Sequence, residues 1–291
     1  MDLPVYVSCN GVLVAPAEAR VSVLTPALYG AYGVYESMKV VGGVPFEEMA
    51  HLRRLARSAE ILGLPLPADL ATFRRWIGEV LAATGVQACT LRLFVVGPGN
   101  GGEALAYIWP QPPPVYPQDY YALGAKAITF EGCRYLPQAK SLNSLVSFLA
   151  QRAAHAAGAH EALLHHDGRL SEGASSNLFA VVDGRVLTPP AATVLSGVTR
   201  DLVIALASAH GICPSEERLP LAEAARWDEC FITSSSRHVM PITLLDGRPV
   251  GAGRVGPITR QLMALFEAYF TESALTVDTG AAGEPGLRTL G

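Results

Sequence analysis

Two segments carry the reading of this chain: Leu136-Pro-Gln-Ala-Lys140-Ser-Leu-Asn-Ser-Leu145 and, further on, Arg169-Leu-Ser-Glu172-Gly-Ala-Ser-Ser-Asn177. In the first, a single lysine follows a proline turn and opens a predicted helix over residues 140–157;. A cation at a helix amino terminus meets the wrong end of the backbone dipole. That placement favours a neutral amine, the form that condenses with an aldehyde. A solvated lysine at a frayed helix end is the plain alternative. In the second segment a carboxylate lies between two strand signals, with only small residues after it, so a flat ligand can approach closely. A turn carboxylate capping free amides is the competing reading.

The lysine count sharpens the first segment. Of 22 basic residues only Lys39, Lys126 and Lys140 are lysines. Arginine stands wherever a fixed positive charge suffices, and an amine that must lose its proton cannot be arginine. A compositional bias that left three survivors by chance explains the same count.

Outward from these segments the chain reads as mixed α and β. Toward the amino terminus, 31–41 and 44–46 form a hairpin about Gly42-Gly43, helices cover 47–62 and 69–84, and strands cover 88–97 and 104–110;. Gln111-Pro-Pro-Pro-Val-Tyr-Pro117 admits neither helix nor central strand and reads as a linker;. Beyond it, strands at 125–130, 162–166, 178–182 and 230–233 and helices at 199–210, near 221–226 and at 257–270 are expected. Asp-Gly pairs at 167–168, 183–184 and 246–247 supply tight turns;. The division is a small domain at 1–112, a linker at 113–119, a large domain at 120–277 and a loose tail at 278–291.

Composition excludes several classes. Half the residues are hydrophobic and 16% are charged, which suits a packed core rather than disorder;. The net charge of −4 with no basic cluster gives no footprint for nucleic acid;. No apolar run reaches membrane-span length and no leader pattern precedes Pro4, so a cytoplasmic location is expected. Five scattered cysteines support neither a metal site nor a disulfide framework;. Gly97, Gly99 and Gly102 match a dinucleotide-binding spacing, but a strand follows where a helix is needed. Gly173–Asn177 lacks the last glycine of a nucleophile elbow.

Two further stretches suit an anion. Gly197-Val198-Thr199-Arg200 leads from a loop into a helix, offering the free amides of Val198 and Thr199 and a hydroxyl;. Ser234-Ser235-Ser236 follows a strand and could add hydroxyls. A plain helix cap and an ordinary polar loop explain both equally well.

Taken together, Lys140–Leu145, Leu170–Phe179, Leu195-Ser-Gly-Val-Thr-Arg-Asp201 and Phe231-Ile-Thr-Ser-Ser235 resemble one family, the class IV (fold-type IV) pyridoxal phosphate aminotransferases. That family includes D-amino-acid and branched-chain aminotransferases. The resemblance implies a two-domain α+β fold and a homodimer. It also implies ping-pong transfer of an amino group from an amino acid to a 2-oxo acid, with Lys140 joined to pyridoxal 5'-phosphate as a Schiff base. Glu172 would face the pyridine nitrogen and Leu195 the ring. Arg54, Val198, Thr199, Ser234 and Ser235 would hold the phosphate, with Arg53 as Arg54's near competitor. Tyr35, Ser235 and Ser236 would line the substrate side.

The chain departs from the D-amino-acid group, which carries an Arg-x-His near the end of the strand Leu91–Gly97; here Val96 takes the arginine's place. Strand alternation puts Arg92 on the same face as Val96. Arg92 is therefore expected to bind a substrate carboxylate, with a structural ion pair as the alternative and Arg237 in reserve. Branched-chain enzymes place tyrosine where Leu145 stands. An aminodeoxychorismate lyase and a non-catalytic cofactor-binding protein of the same fold are the rival functions.

Overall fold

The computed structural model describes residues 5–98 and 102–278. Residues 99–101 of the expected hairpin loop, and the expected tail apart from Asp278, lie outside them. Strands β1 (Val7–Cys9) and β2 (Val12–Val14) precede a short helix α1 (Pro26–Gly30). Then β3 (Gly33–Val41) turns at Gly42-Gly43 into β4 (Val44–Pro45). Helices α2 (Glu48–Leu62) and α3 (Leu70–Thr84) follow, the latter capped by the Asp69 carboxylate, which accepts from the Thr72 amide at 2.8 Å;. Strands β5 (Cys89–Val96) and β6 (Leu105–Gln111) complete a six-stranded sheet ordered β2-β1-β6-β5-β3-β4. One face of β3 and β5 buries Val34, Met38, Leu91, Leu93 and Val95 against Leu52, Leu55, Phe73 and Ile77 of the two helices. The period-2 and period-3.6 apolar patterns meet there in one core.

The second sheet is built from β7 (Ala125–Glu131), β8 (Glu161–His166), β9 (Arg169–Gly173), β10 (Asn177–Val182), β11 (Arg185–Thr188), β12 (Ser215–Glu216), β13 (Leu219–Pro220), β14 (Glu229–Ser234), β15 (His238–Leu245) and β16 (Arg248–Pro249). Its helices are α4 (Asp119–Ala122), α5 (Leu145–Ala156), α6 (Val198–Ala209) and α7 (Pro257–Asp278). From β10 the sheet runs through β14, β15, β7 and β8 to β9, and β9 pairs back onto β10 through Glu172 opposite Asn177. The six strands thus close on themselves around Leu163, Leu178, Ile232, Met240 and Ile242. Phe179 and Phe231 stack on the outer face at 4.7 Å, under α6 and α7. The three Asp-Gly turns all have positive φ at both residues, the conformation that tight hairpins need;.

Three expectations are corrected. Lys140 does not open a helix, because α5 begins only at Leu145. The preceding residues are extended and bound to β3: the Tyr35 amide donates to the Lys140 carbonyl and the Leu142 amide to the Gly33 carbonyl, each at 2.9 Å. The Lys140 amide donates to Ser58 Oγ on α2 at 3.0 Å. Backbone groups committed to a neighbouring strand cannot also close helical turns. The last helix runs past 270 to Asp278, since no glycine or proline interrupts the sequence between Pro257 and Gly280. The short helix near 221–226 is a 3-10 turn, Leu221–Arg226. Strand β15, which contains Pro241, is a central strand that the periodicity reading leaves out, and its pairing with β7 starts just beyond the proline, at Ile242;.

Candidate active site

A cavity of about 500 Å³ lies where the two sheets meet, a volume ordinary for a small-ligand site;. Tyr35, Arg92 and Arg54 line it from the first half of the chain, and Lys140, Glu172 and the serine turn after β14 from the second. Lys140 Nζ lies 4.5 Å from the centre of the Tyr35 ring. Burial holds the Lys140 amine below the ordinary lysine range, and Arg54 and Arg134 push in the same direction against Tyr35 and Glu36. Desolvation and neighbouring cations therefore do what the helix dipole was expected to do. The Lys140 amine in turn lowers the Tyr35 phenol.

Glu172 is buried where β9 closes onto β10, and its Oε2 accepts from the Leu195 amide at 3.3 Å. Burial raises its carboxyl above the usual range. Such a group gains from a cationic partner brought into the cavity. At the far end, α6 starts at Val198 with Gly197 as its N-cap and no side chain capping the first turn, which leaves the amides of that turn for an anion. A Cβ at Gly197 would sit 1.9 Å from Asn177 Oδ1, so a larger residue would have to displace the buried Asn177 side chain. Opposite Asn177, Thr233 lines the cavity, and its buried Oγ1 has no partner among the described residues. An orphan hydroxyl beside a free helix terminus fits a phosphate.

Arg54, not the exposed Arg53, faces this site. Its guanidinium grips Glu36 in a fork, Nε to Oε1 at 2.7 Å and Nη2 to Oε2 at 2.8 Å, and Nη1 donates to the Ser196 carbonyl at 3.1 Å. His51 Nδ1 lies 2.8 Å from Glu36 Oε2, and its Nε2 faces Ser235 Oγ at 3.5 Å. Burial acts to raise the Glu36 carboxyl, but Arg54 and His51 outweigh it and hold its pKa far below the carboxylate range. Sequence reading missed Glu36 and His51. The signal was present, because Glu36 shares a strand face with Val34, Met38 and Val40, where a charge must be paired;.

The substrate candidates separate. Arg92 lines the cavity, and its Nε donates to Gln111 Oε1 at 3.0 Å rather than to a carboxylate. Arg237 is already engaged: its Nη1 donates to buried Glu161 at 2.9 Å and to Ser175 Oγ at 2.8 Å. Ser234, Ser235 and Ser236 line the cavity, as do Leu195, Val198 and Thr199. Arg134, which no pattern singled out, joins them, with Nη2 on the Ala139 carbonyl just ahead of Lys140.

The model of the class IV amino-transferase family matches residues 33–245, which take in most strands of both sheets and every group just described. The chain belongs to the class IV aminotransferases. A D-alanine aminotransferase of Bacillus licheniformis is 31% identical over 281 residues, covering 92% of this chain and 98% of that one. A putative branched-chain-amino-acid aminotransferase of Methanocaldococcus jannaschii is 34% identical over 284 residues, covering 92% and 97%. Among solved structures, the T.th. branched-chain amino acid aminotransferase with pyridoxamine 5'-phosphate superposes with a TM-score of 0.86, at 29% identity and 94% and 96% coverage. The chain is accordingly an aminotransferase of mixed α and β fold, and its two half-sites are parts of one enzyme.

In this aminotransferase the Glu36–Arg54 pair is the main buried charge compensation of the site. Glu36→Gln is expected to cost about 3–5 kcal/mol by leaving Arg54 uncompensated. A carboxylate with a depressed native pKa contributes stability above its ordinary value of 4.5 that is lost as pH falls toward the native value;. The cost should therefore shrink below that pH. Urea unfolding at neutral and acid pH checks this, and a cost under about 1 kcal/mol at neutral pH would contradict it.

Proposed function

We propose that this aminotransferase carries pyridoxal 5'-phosphate covalently on Lys140 as a Schiff base and transfers amino groups from an amino acid, of D- or branched-chain type, to a 2-oxo acid in two half-reactions. One observation carries the reading. A lysine of lowered basicity, a buried carboxylate and a free helix terminus line a single cavity, and these are the kinds of group that suit an aldehyde, a pyridine nitrogen and a phosphate. The pyridoxamine 5'-phosphate bound by the T.th. relative supports it. When bound, the cofactor supplies an electron sink. Glu172 keeps the proton on the ring nitrogen, and Leu195 packs against the ring. Arg54, the Val198 and Thr199 amides, Ser234 and Ser235 hold the phosphate. Lys140 moves the proton to and from the substrate Cα, with Tyr35 beside it. Arg92, which lines the cavity, receives a substrate carboxylate alongside Ser235 and Ser236.

We divide the chain into a small domain at 1–112, a linker at 113–119 and a cofactor domain at 120–277; separate cores in the two sheets support this. Exposed apolar side chains flank the lysine segment, among them Phe148 and Leu145 at 64% and Tyr135 at 82%, with Leu24 and Tyr29 at 82% and 81% on the first half. Patches of this kind favour a homodimer. Five free cysteines suit the cytoplasm, where cell fractionation should place the protein;.

A panel of D- and L-amino acids, each given alone, should convert the bound cofactor to pyridoxamine phosphate once and then stop. Continued turnover on the donor alone would indicate a lyase. Arg92→Ala should raise KM for dicarboxylic acceptors by about ten- to a hundredfold, the worth of a charged hydrogen bond, with kcat little changed. An unchanged KM removes Arg92 from the substrate site. Light scattering should give twice the 30.8 kDa chain mass. Phe148→Glu should shift that mass toward the monomer, whereas a monomeric parent protein would refute the dimer.

A further inference from the structure

The turn that carries the serines is held from outside the cavity. β14 ends at Ser234 and β15 begins at its partner His238, leaving Ser235-Ser236-Arg237 as a three-residue loop. The left-handed backbone region favours glycine. The residue that follows this loop, His238, nonetheless adopts it, at φ +56. A non-glycine residue holds that conformation at a cost and persists where its surroundings fix it.

Its surroundings are specific. His238 Nδ1 lies 2.5 Å from Glu267 Oε1 on α7, and Nε2 lies 2.7 Å from Lys39 Nζ on β3. The ring packs between Phe266 and Phe270, at 4.9 and 4.5 Å, and the lysine amine sits 4.6 Å from the Phe270 centre. With the proton on Nδ1, the imidazole donates to the carboxylate and accepts from the ammonium, so one chain of charge-assisted bonds joins three elements. Lys39 lies on the strand that also carries Tyr35 and Glu36, and His238 directly follows the serine turn.

We propose that Lys39, His238 and Glu267 form a positioning bridge that fixes the serine turn of the second sheet relative to β3, and so sets the phosphate end of the site. None of the three lines the cavity. They act through the turn, and the inference rests on the reading of Ser234 and Ser235 as phosphate ligands.

The test compares two probes on full-length protein stripped of cofactor: pyridoxal phosphate, and pyridoxal, which lacks the phosphate. The variants are His238→Asn and Lys39→Met. Asparagine tolerates positive φ better than most residues, so His238→Asn removes the bridge without imposing a new backbone demand. Both variants should weaken pyridoxal phosphate about tenfold while leaving pyridoxal within about twofold, since only one probe carries the charge-bonded group. If Lys39→Met does not fold, Glu267→Gln, altering a half-exposed side chain, replaces it with the same expectation. Equal weakening of both probes, or no change in either, would overturn the bridge. If the unmodified protein itself binds pyridoxal as tightly as pyridoxal phosphate, the phosphate site fails first and the bridge with it.

Discussion

The site depends on a short backbone pairing. Residues 140–142 lie along β3 at the end that β4 leaves free, with Tyr35 and Leu142 donating to Lys140 and Gly33 carbonyls and Val34 bridging Ser141. This pairing draws a segment that sequence places after the linker onto the first sheet, and it faces the lysine amine toward Tyr35 and the cavity. Gly33 is tight here: a Cβ would lie 2.5 Å from the Val95 carbonyl oxygen and 2.6 Å from Leu142. Without that contact Lys140 would belong to one half of the chain, and Arg54 and Tyr35 to the other.

Given that geometry, the cavity handles two carboxylates in opposite ways. Glu36 is surrounded by Arg54 and His51 and stays ionised, which neutralises an arginine that would otherwise be an uncompensated buried cation. Glu172 receives one backbone amide and is otherwise desolvated, so its charge favours a cationic partner from outside the chain;. The lysine is lowered chiefly by burial, with the charges around it acting second. An amine of lowered basicity and an acid that gains from a cation thus arise from burial more than from any single charge pair.

Much of this was legible in the sequence because it is local. The Asp-Gly turns and the strand and helix patterns place most of the expected elements within a residue or two. The Lys140, Glu172 and Gly197–Thr199 segments are continuous, so these cavity-lining residues can be named from sequence. What was not legible is what depends on partners distant along the chain. Lys140 reads as a helix opener because nothing in its neighbourhood announces β3 as its partner. Arg134 and Thr233 matter only through the cavity they face. Glu36 carries a signal, a charge on the buried face of β3, but its pairing with His51 emerges only when that strand alternation and the turn of α2 are considered together. Arg237 is a reasonable reserve on sequence grounds, yet Glu161, 76 residues away along the chain, occupies it.

The presence of only three lysines makes the central claim directly measurable. Borohydride reduction of protein reconstituted with pyridoxal phosphate, followed by peptide mapping, should place a single pyridoxyl label on Lys140. A label on Lys39 or Lys126, or none at all, would contradict the account.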